Sequence, residues 1–530
     1  MSRVAIVALC ALFGAQMFLA SPSAQSEDQV AKAKSGEGKQ SKYARSPITI
    51  SPETTVIAGP LLENGYVDYI AAMNQQLSQG VTTENNAAVL LLQVTGPHEI
   101  GRNTAQYCQM LGVLELPLDG AYLVPAERFE VSVDNAVSKQ RLADHDQASK
   151  GPWTAEQIPV LARWLEQSTT HFDLIEKATR RTRYYTPLIS GDPPSMVGVL
   201  LPQAQTSRTI ARSLMIRCMF RLGKGDVAGA WQDIQSMHRL ARLVGQGPTL
   251  IEGLVGIAID SMAQAATVQV AQSEFLTAEW ASTIMKDVEA LKPVCVMADK
   301  VNVAERFMFL DSVGLLLREG PDGLHTMLGE QPESAGMKMI GQFMMMSIDA
   351  DKTLKMGNRW YDKLNANLSL PTFAERRAAG ALLQTELQEL RADATGATAA
   401  LVVLGGSGAE RGELFADILV SMLLPAIQQV DIASERTLVR RDLSKLALVL
   451  RMYHMETGSF PADLNRLAPR YLPEVPSDRL SGQPLRYVPG ETSCKFSSAG
   501  SNGQHDADLK AVGAAQSDDL VVELNLEAGS

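Results

Sequence analysis

The chain has 530 residues, of which 45% are hydrophobic and only 5% aromatic, and its formal net charge is −11. This length exceeds what one compact core accommodates, so we expect two or more domains. The negative charge argues against a general nucleic-acid binder, because such proteins need clustered positive charge to displace counterions. The abundance of Ala, Leu, Val and Met favours helix over strand, so we predict a mainly α protein.

The first residues have the pattern of an export signal. Arg3 supplies the positive charge, residues 4–20 form a short apolar run, and small residues ending at Ala24 offer a cleavage site. We therefore predict a signal peptide over residues 1–24 and a periplasmic or secreted protein. A retained anchor is the alternative, because the apolar run is close to the length that spans a bilayer. We predict no later transmembrane helix.

Four cysteines remain once the signal peptide is removed. They are far apart in the chain and form no CxxC pair, so the sequence indicates neither a zinc site nor a dithiol redox motif. An exported protein can form disulfides, and four cysteines allow three pairings. Buried free thiols are the other interpretation of Cys108, Cys218, Cys295 and Cys494.

A polar segment separates the signal peptide from the folded part. Residues 25–47 are charged and rich in Gly, Ser and Gln, so we predict a disordered linker. Residues 48–400 have the periodicity and the caps of a helical domain. The predicted helical segments are 66–77, 86–94, 206–270 (three helices), 277–292, 296–318, 335–365 and 372–393.

The helical part contains no motif that names a reaction. HExxH, GxSxG, Walker A and GxGxxG are all missing from the sequence. His98–Glu99 follows a Gly-Pro pair and is predicted to lie in a surface turn, and the run Asp144–His145–Asp146 is predicted to be a charged loop. The five methionines within residues 337–346 are predicted to fill a core rather than to bind copper, and His454 is predicted to be structural.

Residues 411–457 predict one long amphipathic helix. Its apolar stripe repeats at alternating spacings of four and three: Val439, Leu443, Leu446, Leu450 and Tyr453. Pro425 removes one hydrogen bond and is expected to kink this helix. Gly458 can adopt the left-handed conformation that ends a helix, and Pro461 prevents its continuation.

The order of residues in this region resembles a known family. Residues 423–461, LLPAIQQVDIASERTLVRRDLSKLALVLRMYHMETGSFP, are similar to the helix of bacterial type IV pilin-like proteins. The tail that follows resembles the soluble module of the major type II secretion pseudopilin. Its PxD…GxPxxY signature is matched by Pro476, Asp478, Gly482, Pro484 and Tyr487. Its serine–glycine loop and paired aspartates are matched by Ser498, Gly500, Asn502, Gly503, Asp518 and Asp519.

The resemblance implies a long helix packed on a small antiparallel sheet. The expected strands are 484–488, 494–498 and 520–526, and the loop before the last strand holds calcium in the pseudopilin. Asp518 and Asp519 match the family's paired aspartates best. The residues that offer oxygen ligands for calcium here are Asn502, Asp506, Asp508, Asp518 and Asp519. A solvated loop with Asx turns is the alternative, because this chain has a longer segment between the serine–glycine loop and the aspartate pair than the family has.

The same resemblance indicates a module for assembly or interaction over residues 411–530. True pilins begin with a prepilin-peptidase site and an apolar N-terminal helix. Here the helix is internal and carries Glu413 and Asp417, so polymerisation into a pilus is not predicted. We predict an exported, non-enzymatic protein that binds other envelope or secreted proteins. The alternative is a periplasmic hydrolase whose site is assembled from dispersed residues of the helical domain.

Overall fold

The computed structural model describes residues 48–130, 135–199, 201–320, 348–395, 402, 405–506 and 518–526. The predicted signal peptide (1–24), the predicted linker (25–47) and the methionine-rich run 337–346 lie outside these residues. Within the described part the fold is mainly α with a small three-stranded antiparallel sheet near the C-terminus, which confirms the predicted fold class.

Ten helices precede residue 290. They are α1 (Tyr69–Leu77), α2 (Ala87–Thr95), α3 (Thr104–Leu111), α4 (Asn135–Lys150), α5 (Pro159–Gln167), α6 (Thr169–Thr179), α7 (Pro202–Gly223), α8 (Val227–Val244), α9 (Leu250–Gln272) and α10 (Ala278–Glu289). The next five described helices and the strands are α11 (Met297–Lys300), α12 (Arg306–Glu319), α13 (Ala350–Leu368), α14 (Phe373–Thr395), α15 (Gly408–Thr457), β1 (Arg486–Pro489), β2 (Ser493–Ser498) and β3 (Leu520–Asn525).

Helices α7, α8 and α9 form the predicted three-helix unit. Asp226 caps α8 by accepting a hydrogen bond from the backbone of Gly229. Thr249 and Glu252 form a reciprocal capping box at the start of α9. These caps satisfy N–H groups that have no partner within the helix, which fixes both turns of the unit.

The sequence predicted no transmembrane helix after the signal peptide, but α9 is more apolar than that prediction assumed. By length and composition it could cross a membrane, and it is the one described helix that meets this test. However, 61% of its most apolar stretch is buried inside the fold. It packs against α7, α8 and α15, so its apolar residues form the protein core.

Two other helices differ from expectation. Residues Asp144–His145–Asp146 belong to α4, where the sequence predicted a loop. Helix α4 is largely polar and lacks an apolar stripe, so periodicity does not identify it. The predicted helix 296–318 is present, but a π-helical turn at Val301–Glu305 joins α11 to α12. The predicted helix 335–365 is described only from residue 348 onward, and there α13 begins at Ala350.

The long helix and the sheet match their predicted positions. Helix α15 runs through 50 residues without interruption and ends at Gly458, whose φ of 75° is left-handed. The strand order is β1-β2-β3, and Phe496 of β2 lies opposite Tyr487 and Val522. Because Phe496 is fully buried and α15 contacts β2 and β3, the sheet is attached to the helix through its apolar face.

Two large hydrophobic cores, and a smaller third one around α3, hold the described elements together. The first contains apolar residues of α2, α5–α10, the C-terminal half of α15 and the sheet. The second contains residues of α1, α9, α11–α14 and the N-terminal half of α15. Both cores therefore contain residues from either side of positions 400–411, where the sequence suggested a division between two domains. All four cysteines are free thiols, three of them buried.

Candidate metal centre

The PxD…GxPxxY segment folds around the buried carboxylate of Asp478. Its Oδ1 accepts hydrogen bonds from the Leu480 N–H at 3.1 Å and from the Ser498 hydroxyl at 2.5 Å. Its Oδ2 accepts from the Ser481 hydroxyl at 2.7 Å and from the Ala499 N–H at 2.9 Å. This one carboxylate therefore links the turn before β1 to the end of β2 and fixes the start of the following loop.

That loop and the entry of β3 bring three carboxylates together. One oxygen each of Asp506, Asp518 and Asp519 lies within 4.8 Å of the others. Asp506 is exposed, and the other two are partly buried. Like charges at this separation repel one another, so a cation that prefers oxygen ligands would stabilise the arrangement. The structure thus joins three of the residues that the sequence suggested for calcium.

Asn502 contributes to this group through Asp506. Its amide nitrogen donates to Asp506 Oδ2 at 2.7 Å, and its side-chain oxygen accepts from the Gln504 N–H at 2.7 Å. The second bond is an Asx turn of the kind that the sequence analysis offered as the alternative. Asn502 therefore orients Asp506 and also shapes the loop. The fifth suggested residue, Asp508, lies outside the described residues.

The serine–glycine loop holds the two paired aspartates. Ser501 donates its N–H and its hydroxyl to Asp518 Oδ2 at 2.7 and 2.6 Å. The Gly500 N–H donates to Asp519 Oδ1 at 2.9 Å. A Cβ atom on Gly500 would lie 1.6 Å from Asp518 Oδ1, so a side chain cannot be accommodated there without moving the carboxylate. Glycine at this position is therefore required by the close approach of Asp518.

Arg436 of α15 is a further member of the site that the sequence did not indicate. Its guanidinium donates to the Asp518 carbonyl at 2.9 Å and lies 3.7 Å from Asp518 Oδ2. Burial raises the pKa of Asp518, but hydrogen bonds from Ser501 and the charge of Arg436 outweigh it and hold that pKa below its usual value. Asp518 is therefore ionised at neutral pH, as a metal ligand must be.

The donor set fits a hard cation such as calcium. The three converging groups are carboxylates, and calcium takes six to eight oxygens from carboxylates, carbonyls and water. The neighbouring His505 approaches Asp478 Oδ2 at 4.0 Å and is not one of the converging groups, so the three ligands are all oxygens, which zinc prefers less than nitrogen or sulfur. Asp506, Asp518 and Asp519 would hold the ion, whose charge would offset their repulsion and tie the loop to β3.

The other metal-capable run of the sequence is dispersed on α4. Asp144 and Asp146 form ion pairs with basic residues of their own helix, at 2.7 and 2.6 Å. His145 instead approaches Glu127 at 3.9 Å, and burial lowers the pKa of its imidazole. These side chains therefore do not converge on a common point.

The remaining histidines of interest occupy the positions that the sequence suggested. His98 and Glu99 are exposed beside the Gly-Pro turn, and the His98 ring meets Tyr122 edge-on at 6.2 Å. His454 packs against Phe460 with 4.9 Å between ring centres, and burial lowers its pKa. Neither histidine lies beside a second catalytic group in these contacts.

A small pocket offers the nearest approach to an enzyme site. Asp311 and Arg318 line it, together with Tyr66, Tyr69 and apolar residues of α12 and α13. Burial raises the pKa of Asp311 to about 6, while Arg318, 3.7 Å away, opposes that shift. A hydrolase needs a nucleophile or water positioned by converging acid and base groups. The walls of this pocket supply one carboxylate, and that carboxylate is already paired.

No protein-family model, curated protein or solved structure matches this chain. The likeness to a pseudopilin stays a prediction drawn from the order of residues 423–520. The carboxylate group itself is defined by its own distances and hydrogen bonds, independently of that likeness.

Proposed function

We propose that this protein is an exported, non-enzymatic binding protein of the cell envelope. Its long helix and C-terminal sheet form a pseudopilin-like module that takes up calcium and contacts other envelope or secreted proteins. The export assignment rests on the apolar N-terminal run and the small residues that end at Ala24.

One observation carries the calcium assignment. Asp506, Asp518 and Asp519 approach within 4.8 Å of one another, although they come from both ends of a loop. Ser501 and Gly500 hold two of these carboxylates in place through backbone N–H groups. Arg436 lies 3.7 Å from Asp518 Oδ2, and a bound cation would offset the repulsion that remains among the three carboxylates.

Calcium would fix the surface of the module. The ion would join the loop after β2 to the entry of β3, and Arg436 connects Asp518 to the long helix. Strand β3 presents Val521, which is 42% exposed, next to this site. A partner that contacts this surface would therefore bind the calcium-loaded form better than the calcium-free form, since less conformational freedom is lost on binding.

Affinity capture from the exported fraction tests this role. The full-length chain is used as bait in calcium and in chelator, beside the double variant Asp518→Asn and Asp519→Asn. We expect partners that are retained by the wild-type chain in calcium and lost both in chelator and with the double variant. An identical set of retained proteins under all conditions would contradict a calcium-dependent interaction.

Cell fractionation tests the location separately. Edman sequencing of the exported protein is expected to give an N-terminus at Gln25, directly after the predicted cleavage position. Recovery of the chain only in the cytoplasmic fraction would contradict export. A protein that is found in the membrane fraction and begins at Met1 would instead support the retained-anchor alternative.

A further inference from the structure

Two partly buried arginines lie one turn apart on α15. Arg436 and Arg440 are four positions apart, which places both guanidinium groups on one face. Arg436 contacts Asp518, and Arg440 reaches across to Ser261 of α9. Two like charges at this spacing repel each other, and the repulsion is stronger where both are partly buried.

Arg440 has no counter-ion in the described part of the chain. Its one hydrogen bond is donated to the Ser261 hydroxyl at 3.4 Å, and that hydroxyl donates in turn to the Ile257 carbonyl at 2.9 Å. Burial, together with the positive charge of Arg436, lowers the pKa of Arg440 to about 10. The environment therefore disfavours the charge of Arg440, and nothing nearby among the described residues compensates for it.

Several other arginines of the fold are paired with carboxylates. Arg376 contacts Asp431 at 2.9 Å and Glu435 at 2.6 Å, and Arg242 contacts Asp260 at 2.7 Å. These arrangements follow the general rule that a buried charge is paired. Arg440 departs from this rule in the same long helix that supplies Asp431 and Glu435.

The surface of α9 on either side of Ser261 reaches solvent. Ala258 and Ala265 lie about one turn before and after Ser261 on α9, and both are exposed. Ser261, Arg436 and Arg440 are themselves only partly buried, so a small ligand can reach them from outside.

We propose that Arg436, Arg440 and Ser261 form a binding site for a small oxyanion of the phosphate or carboxylate type. Guanidinium groups offer planar pairs of N–H donors that match such oxyanions. A bound oxyanion would supply the counter-charge that Arg440 lacks and would reduce its repulsion with Arg436. The site lies between α9 and α15 and adjoins the carboxylate group, because Arg436 also contacts Asp518.

Thermal unfolding of the full-length chain in phosphate, in acetate and in chloride at equal ionic strength tests the proposal. The melting temperature is expected to rise by about 2 °C once the effective oxyanion exceeds its Kd about a hundredfold. A rise in phosphate alone identifies a phosphate-type ligand, and a rise in acetate identifies a carboxylate-type ligand. No rise in either anion relative to chloride would overturn the proposal. The buffers contain chelator and no calcium, so the result is independent of the metal site.

Two substitutions on α15 distinguish a loss of oxyanion binding from a general loss of stability. Arg440→Met is expected to keep or raise the melting temperature in chloride, because it removes an unpaired charge, and to abolish the rise in oxyanion. Arg441→Met is the control, since Arg441 donates to the Leu291 carbonyl instead and should retain the response. An undiminished oxyanion response in Arg440→Met, or a lowered melting temperature of that variant in chloride, would contradict the proposed site.

Discussion

Glu305 is a carboxyl group in the core at the π-helical turn between α11 and α12. Its Oε1 accepts a hydrogen bond from the Leu250 N–H at 3.2 Å, and it lies near the buried ammonium group of Lys300. Burial raises its pKa to about 7, although the Leu250 N–H and Lys300 both act in the opposite direction. The folded chain therefore retains a proton on Glu305 at pH values where an unfolded chain releases it.

This shift predicts a specific pH dependence. Because the folded-state pKa lies above that of the unfolded chain, Glu305 lowers the free energy of unfolding progressively as the pH rises from about 4.5 to 7. Glu305→Gln keeps an acceptor for Leu250 and removes the titration. In urea unfolding, we expect the variant to gain up to about 3 kcal/mol over wild type at pH 8 and little at pH 4.5. Glu166→Gln, at an exposed position, is the control, and a pH-independent difference for Glu305→Gln would contradict this account.

Asp478 is the residue on which the C-terminal loop depends most. Its buried carboxylate accepts the hydrogen bonds described above from two backbone N–H groups and two hydroxyls. Asp478→Ala leaves these donors without their partner and should lower the free energy of unfolding by about 3 kcal/mol or more. Thermal unfolding measures the loss, with Glu474→Ala at a nearby exposed position as the control. Equal melting temperatures for the two variants would contradict the role of Asp478.

Some residues of the candidate metal site could be predicted from the sequence alone. Asp518 and Asp519 were identified because they match the paired aspartates of the pseudopilin-like order, and Asp506 because its carboxylate offers an oxygen ligand in the preceding loop. Ser501 could have been noticed as a hydroxyl next to the loop glycine. Arg436 could not, because it reaches Asp518 from 82 positions away through the packing of α15, and no local pattern encodes that contact.

The close packing of α8 against α9 explains why position 256, in the interior of α9, is a glycine. A Cβ atom on Gly256 would lie 2.6 Å from the Ala241 carbonyl oxygen and 2.8 Å from a methyl group of Val294. Gly256→Ala should therefore separate α8 from α9 and lower the free energy of unfolding by about 1–3 kcal/mol, despite the better helix propensity of alanine. Gly151→Ala is the matched control, because nothing lies within 4 Å of its Cβ position. Thermal unfolding compares them, and an unchanged melting temperature for Gly256→Ala would contradict the close packing.

At the level of elements, prediction succeeded where periodicity or turn residues were strong. The three strands and the end of α15 at Gly458 were placed within about two residues, because Gly and Pro mark their boundaries. Helix α4 was missed because its residues are largely polar and it packs only lightly. The π-helical turn at Val301–Glu305 was also missed, since it leaves no simple trace in the spacing of apolar residues.

For the whole molecule, the long helix contributes to both large cores, as α9 also does. Its N-terminal half packs with α13 and α14, and its C-terminal half packs with α9, α10 and the sheet. The sequence indicated the apolar seam of this helix but not which elements would cover it. Packing between segments that are hundreds of residues apart depends on tertiary shape, which spacing alone does not determine. A change at Asp518 is therefore connected to the helical region through Arg436 and α15.

Isothermal titration of calcium into the chelator-treated, full-length chain tests the central claim most directly. We expect saturable binding of about one calcium per chain and a higher melting temperature in calcium. Asp518→Asn should lose both effects, while Glu491→Gln in the turn between β1 and β2 should keep both. Absence of binding heat together with an unchanged melting temperature at millimolar calcium, or equal calcium binding by Asp518→Asn and wild type, would contradict a calcium-binding module.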